Sequence, residues 1–282
     1  MAAALCDSHV HLFDPRRFPY VTPRRFTPGE ATVPDLREHM RATGVQRVVL
    51  VQPSVYGDNH GCLLDGLQSL GPQARGVAVV ASGTPQEELA RLDAAGVRGA
   101  RINLVVDHLD APAVALARLR EVESRIPAHW HVQLHVSLGV LQALAGHIER
   151  SDRCYVLDHM GLPDPAAGPH TQACAALLQL MRGGRLYIKL SAPYLCARSA
   201  PPYPDLAPLV GSLLAARSDR VLWGSNWPHT QGTARSPGLA AETIEAFREV
   251  DDRAWLATCR AFSGDSAPAV LGGNAQALYG FA

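Results

Sequence analysis

Two histidines one residue apart supply the first chemistry of the chain, in Asp7-Ser8-His9-Val10-His11. Side chains alternate faces along a strand, so Asp7, His9 and His11 are expected on one face, opposite Val10 and Leu12. Two imidazoles aimed at one centre suit a divalent metal or a carbonyl oxygen. Further polar groups end later apolar runs: Gln52-Pro53-Ser54, Arg101-Ile102-Asn103, His135, and Asp158-His159-Met160-Gly161. Lys189 with Ser191 follows, then Gly224-Ser225-Asn226-Trp227-Pro228-His229. Each group alone reads as structural: a strand histidine is commonly a hydrogen-bonded core residue, and a buried arginine pairs with a carboxylate. Their recurrence at nearly every run end points to a shared site.

The elements that must position these groups repeat as a short apolar run, a turn and a helical stretch. The runs are Leu5–Leu12, Val45–Gln52, Arg75–Val80, Gly99–Leu104, His131–Val136, Cys154–His159, Leu186–Ser191 and Arg220–Gly224. Rich in Val, Leu and Ile, they read as buried parallel strands. Helical periodicity covers Ala113–Ile126, Gly139–Glu149, Thr171–Met181 and Leu206–Ala216, and helices are also expected over Leu239–Val250 and Arg253–Phe262. Strands alternating with helices predict an α/β protein, a (β/α)8 TIM barrel in one domain over residues 1–282. An open doubly wound sheet is the alternative, but no glycine-rich phosphate fingerprint follows the first run. A long loop over 14–34 carries five prolines and Arg16, Arg17, Arg24 and Arg25. It reads as a lid or substrate loop, its arginines either recruiting an anion or forming a solvated face.

Composition narrows the classes. In 282 residues, 26 basic side chains balance 26 acidic ones. Zero net charge argues against a general nucleic-acid or membrane-surface binder. Lys189 is the only lysine. Six cysteines lie scattered without a C-x-x-C pair, and the start lacks a secretory pattern. A reduced, cytoplasmic protein is the expectation, with a homo-oligomer compatible.

The motifs Asp7-Ser-His9-Val-His11-Leu-Phe, Arg101-Ile-Asn, Leu157-Asp158-His159-Met160-Gly161, Lys189-Leu-Ser-Ala-Pro and Trp223-Gly-Ser-Asn226-Trp-Pro-His229 resemble the amidohydrolase superfamily, with Asn274-Ala-Gln-Ala-Leu278-Tyr279-Gly-Phe at the end. The likeness runs from Asp7 to Phe281 and is strongest to the branch of 2-pyrone-4,6-dicarboxylate lactonase. It implies a (β/α)8 barrel acting on lactones, with His9, His11 and His159 holding or polarising the substrate and Arg101 binding a carboxylate. The branch can work without metal, whereas most of the superfamily binds divalent ions at these positions. One departure is central: Asn226 stands where the lactonase has the aspartate that activates water, and an amide has no basic oxygen at neutral pH. Leu162 replaces one of that enzyme's further arginines, which makes a dicarboxylated pyrone doubtful as substrate.

Four readings follow. In a lactone hydrolase, imidazoles polarise the carbonyl and another base, His159 or His229, serves the water. In a sugar-acid lactone isomerase, an internal hydroxyl replaces water and Asn226 suppresses hydrolysis. A metal-dependent hydrolase or decarboxylase would hold an ion such as zinc on His9, His11 and His135. A non-catalytic binder would retain the site without turnover. The leading expectation is a hydrolase-type enzyme on a small anionic lactone, with no cofactor required. His9, His11, His159 and Asn226 are its catalytic candidates. Arg101, Ser54, His135, Ser191 and His229 are its substrate-binding candidates.

Overall fold

The structure is a computed structural model that describes residues 3–106, 108–231 and 238–282. The chain opens with β1 (Cys6–Val10), β2 (Thr27–Pro28), α1 (Val33–Thr43), β3 (Arg47–Val51), α2 (Gly61–Leu70) and β4 (Ala74–Val79). It continues through α3 (Gln86–Ala94), β5 (Val97–Asn103), α4 (Pro112–Glu123), β6 (His131–His135), α5 (Leu138–Arg150), β7 (Tyr155–Leu157) and α6 (Gln172–Arg182). The last elements are β8 (Leu186–Leu190), α7 (Ala207–Arg217), β9 (Val221–Trp223), β10 (Ile244–Glu245), α8 (Asp252–Ser263) and α9 (Asn274–Tyr279).

Eight of the strands form one parallel sheet in the order β1-β3-β4-β5-β6-β7-β8-β9. All eight expected runs are therefore barrel strands. The residues after β9 bring the last strand back to the first: Asn226 N donates to His9 O at 2.9 Å, His11 N donates to Trp227 O at 2.9 Å, and Val10 bridges Trp227. The result is a (β/α)8 barrel. At its N-terminal end the interior is apolar, filled by Cys6, Val49, Val51, Val77, Val156 and Leu222 and plugged by Tyr279 and Phe281. One layer up, Gly99 leaves room for a ring: a Cβ there would lie 2.4 Å from the His131 imidazole.

Two expectations fail. Asp7 does not share a face with His9 and His11. The pairing with β3 runs Asp7↔Val48 then Val10↔Leu50, so three steps on β1 oppose two on β3. This bulge inverts the alternation, sending Asp7 outward to His39 of α1 while both histidines point inward. The helix expected over Leu239–Val250 is also absent. Ile244–Glu245 pairs instead with Thr27–Pro28, Thr27 Oγ1 donates to Ala241 O, and Phe247 stacks on Phe13. The segment straps the 14–34 loop, and backbone partners on that loop outweigh its helical pattern.

Within the loop, Arg16 pairs with Glu30 at 2.5 Å and Arg17 grips Asp65 with two bonds of 2.8 and 2.6 Å. Arg24 donates to Thr27 at 2.7 Å. These arginines hold the loop's own structure. Among the described residues no helix is long and apolar enough to cross a membrane.

Candidate active site

Inward-facing positions at the C-terminal halves of the strands carry the polar groups. On β6 the alternation His131, Gln133, His135 points inward while Val132 and Leu134 join the outer core. The chamber above is lined by His11, Ser54, Arg101, Asn103, His135, His159 and Asn226, with Phe13 and Phe26 on its apolar side. His159 (φ +51°) and Asn226 (φ +74°) hold left-handed backbone, a strained state that persists where surrounding structure fixes it.

His9 does not line the chamber. It is fully buried against His11, Asp158 and Lys189. The hydrogen bonds dictate its tautomer. His11 Nδ1 lies 2.7 Å from the Val51 carbonyl, which only accepts, so His11 Nδ1 carries the proton and its Nε2 is bare. His9 Nε2, 3.3 Å away, is then the donor, and His9 Nδ1 accepts from Lys189 Nζ at 3.3 Å. Lys189 also donates to Gln133 Oε1 at 2.8 Å, and Gln133 Nε2 donates to Asp158 Oδ2 at 3.1 Å. Arg101 Nε stands 3.6 Å from the same carboxylate, and its Nη1 donates to Gln52 O.

Burial pushes the His11 imidazole down to about 3, reinforced by Arg101. Burial takes His159 down to about 3 as well, with Arg101 adding to the shift against Asp158. His9 and His135 are likewise held well below the usual range, chiefly by desolvation. The site imidazoles are therefore neutral near pH 7. Desolvation pushes Lys189 down to about 8 although Asp158 favours its charge. Burial would raise Asp158, but the Lys189 and Arg101 charges outweigh it and keep it well below the carboxylate range. Lys189 and Arg101 thus both face Asp158.

The remaining expected groups divide. Ser191 meets His159, its Oγ 2.8 Å from Nδ1. His135 packs edge-on to His159 with centroids 4.9 Å apart, and among the described residues neither of its buried nitrogens has a hydrogen-bond partner. His229 stands outside the chamber lining. It lies behind Tyr194 and beside an open groove of about 840 Å³ that His39 and Asp252 also line. Among the described residues, the ligand atoms that gather within 4.8 Å are those of His9, Asp158 and His159. That set replaces the expected His9, His11 and His135, because Asp158 shares the His9 layer and His135 is turned against His159. Sequence reasoning passed over Asp158, Gln133 and Tyr194 as functional groups. The strict polar alternation of His131-Val-Gln133-Leu-His135 was the available signal for Gln133.

Eight parallel strands that deliver imidazoles and a guanidinium to one chamber at their C-terminal ends define a barrel enzyme. The chain belongs to the amidohydrolase family, whose profile matches residues 6–281. It is 32% identical over 243 residues to a 2-pyrone-4,6-dicarboxylate hydrolase of Comamonas testosteroni, covering 81% of this chain and 78% of that one. It is 29% identical over 227 residues to a D-galactarolactone isomerase of Agrobacterium fabrum, covering 79% and 76%. The fold of a solved Agrobacterium tumefaciens protein matches with a TM-score of 0.80 at 24% identity, over 99% of this chain and 97% of that one.

Proposed function

We propose that the protein acts on a small lactone that carries a carboxylate, attacking its ester carbonyl. The observation that carries this reading is a guanidinium on the chamber wall beside unsatisfied imidazole. Arg101 lines the chamber, and among the described residues neither His135 nitrogen has a hydrogen-bond partner. A guanidinium fork matches the two oxygens of a carboxylate, so a substrate carboxylate belongs at Arg101. Neutral imidazoles at His135 and His159 then donate to the carbonyl oxygen as charge develops there. Relatives acting on a pyrone dicarboxylate and on galactarolactone support the substrate class.

Hydrolysis is the first reading. Isomerisation is favoured by one observation: Asn226 lines the chamber where a base would activate water, and an amide holds a hydroxyl without deprotonating it. An internal hydroxyl gains from proximity what water must gain from a base. The cavity is only about 40 Å³, so a lactone ring requires the Phe26 loop to yield. His9, Asp158 and His159 suit zinc by donor type, and a bound ion would polarise the carbonyl and acidify water. The Lys189 ammonium already stands 3.7 Å from Asp158 and 3.3 Å from His9, so we infer that no metal is required.

The test is a panel of carboxylated lactones followed by NMR, with metal analysis and chelation of the same sample. A ring-shifted lactone as product identifies an isomerase, and the open acid identifies a hydrolase. Asn226→Asp should raise the open-acid fraction by about tenfold or more. Turnover lost on chelation would overturn the metal-free reading, and no turnover of any lactone would overturn the substrate class.

A further inference from the structure

Behind the chamber wall a hydrogen-bond chain leads away from Asn226, and nothing in the reaction outlined above uses it. Asn226 Nδ2 lies 2.8 Å from Tyr194 Oη, Tyr194 Oη lies 3.3 Å from His229 Nδ1, and His229 Nε2 lies 3.0 Å from Asp252 Oδ2. Asn226, His229 and Asp252 are all buried. His229 holds left-handed backbone at φ +69°, and its N–H donates to Asn226 O at 2.9 Å. A turn of unfavourable backbone thus brings the His229 ring to Tyr194. The Arg248 guanidinium covers the Tyr194 ring at 5.1 Å, and His39 Nδ1 approaches Asp252 Oδ2 at 3.5 Å from the far side.

The chain has a direction, and its carboxylate end sets it. Asp252 only accepts, so His229 Nε2 carries the proton that points at it. In the neutral ring Nδ1 is then bare, and Tyr194 must donate to it. The tyrosine oxygen is left to accept from Asn226 Nδ2. An amide whose nitrogen is committed there turns its oxygen away from Tyr194.

We propose that Tyr194, His229 and Asp252 are positioning residues that fix the Asn226 amide with Oδ1 presented to the chamber as an acceptor for the attacking hydroxyl. The inference rests on the lactone reading for the identity of that hydroxyl and deepens it. A freely rotating amide would spend part of its time offering an N–H to the same hydroxyl, which aligns the wrong lone pairs for attack. The wired amide selects a nucleophile that arrives as a donor and aims its oxygen lone pair at the carbonyl. It also gives His229 a role at a distance from the reacting atoms.

Two measurements test this. The first needs no substrate: long-range proton–nitrogen NMR of protein labelled with ¹⁵N-histidine, with His229 assigned by its loss in His229→Asn. The expected result is a ring that carries its proton at Nε2 and accepts at Nδ1. A ring protonated at Nδ1, or at both nitrogens, reverses the chain and overturns the proposal. The second uses D-galactarolactone and 2-pyrone-4,6-dicarboxylate as probes. Tyr194→Phe and Asp252→Asn should each lower kcat about tenfold while KM stays within about threefold, and neither should lower it further in an Asn226→Ala background. Equal losses with and without Asn226 would show a merely structural role and overturn the proposal. If the wild type turns over neither probe nor any other carboxylated lactone of the panel, the lactone reading fails, and the His229 tautomer alone decides the chain.

Discussion

The inward histidines and the outward His39 lie on opposite sides of the β1 bulge, and their pKa values are shifted in opposite directions. The inner set, His9, His11, His135 and His159, sits among Arg101 and Lys189 and is driven neutral by burial. The outer His39 is buried too, but it lies 3.2 Å from Asp7 and 3.5 Å from Asp252, and these carboxylates outweigh desolvation and raise its pKa. The same residue type is thus held neutral inside the barrel and shifted towards its charged form outside it. Burial is common to both; the sign of the neighbouring charge decides. One inserted residue in β1 makes the separation, because it sends Asp7 outward and leaves Asp158 as the inner carboxylate.

The contrast can be broken most severely at the inner cation. Lys189→Met removes a charge that touches His9, Gln133 and Asp158, stranding a buried carboxylate. Breaking a buried pair costs about 3–5 kcal/mol, which a urea titration against wild type measures. A loss below about 1 kcal/mol would mean that Arg101 and Gln133 suffice to hold Asp158.

Acid should act first on the buried inward-facing histidines, the inner set together with His131 beneath it. His11, His131 and His159 have folded values near 3 against 6.5 unfolded, so the unfolded chain binds protons first as pH falls. Stability is therefore lost below about pH 6.5 and continues to fall towards pH 3. At pH 5.5 each such group costs about 1.4 kcal/mol, or about 4 kcal/mol for the three. Melting curves from pH 7.5 to 5 give the slope, and a flat profile would contradict neutral inner imidazoles.

Arg101→Gln probes the inner charge through substrate. A charge-assisted bidentate pair lost from a dry site should lower kcat/KM about 100-fold for a carboxylated lactone and little for an uncharged one. Equal losses on both would remove Arg101 as the carboxylate anchor. The smallest effect belongs to the outer set. His39 has a raised folded pKa, so its stabilisation is present below pH 6.5 and lost as pH rises through the folded value. His39→Gln should cost about 1 kcal/mol at pH 6 and less at pH 9, opposite in sign to the inner histidines. An unchanged pH profile would show that His39 is not charged.

Much of this was legible in the sequence. The eight apolar runs located the barrel strands because parallel strands buried on both faces have little freedom of composition. The histidines, Arg101 and Asn226 were visible because they interrupt such runs at their ends. The Asp7 position was not, since a bulge leaves no mark in a one-residue alternation. The Leu239–Val250 segment misled because its helical pattern is real, yet its partners lie some two hundred residues away on the 14–34 loop. Tyr194 and Asp252 were invisible for a similar reason: they meet His229 only after β9 closes on β1. His229 was singled out for its place beside Asn226, but short range in sequence put it one side chain too close to the chamber.

The solitary lysine has a use beyond its chemistry. Lys189 is fully buried and is the only side-chain amine in the chain. Amine-directed acylation of any side chain therefore requires the barrel to open. Mass spectrometry of that single adduct counts unfolding events one molecule at a time. The protein carries its own clock for how often the centre of its barrel meets water.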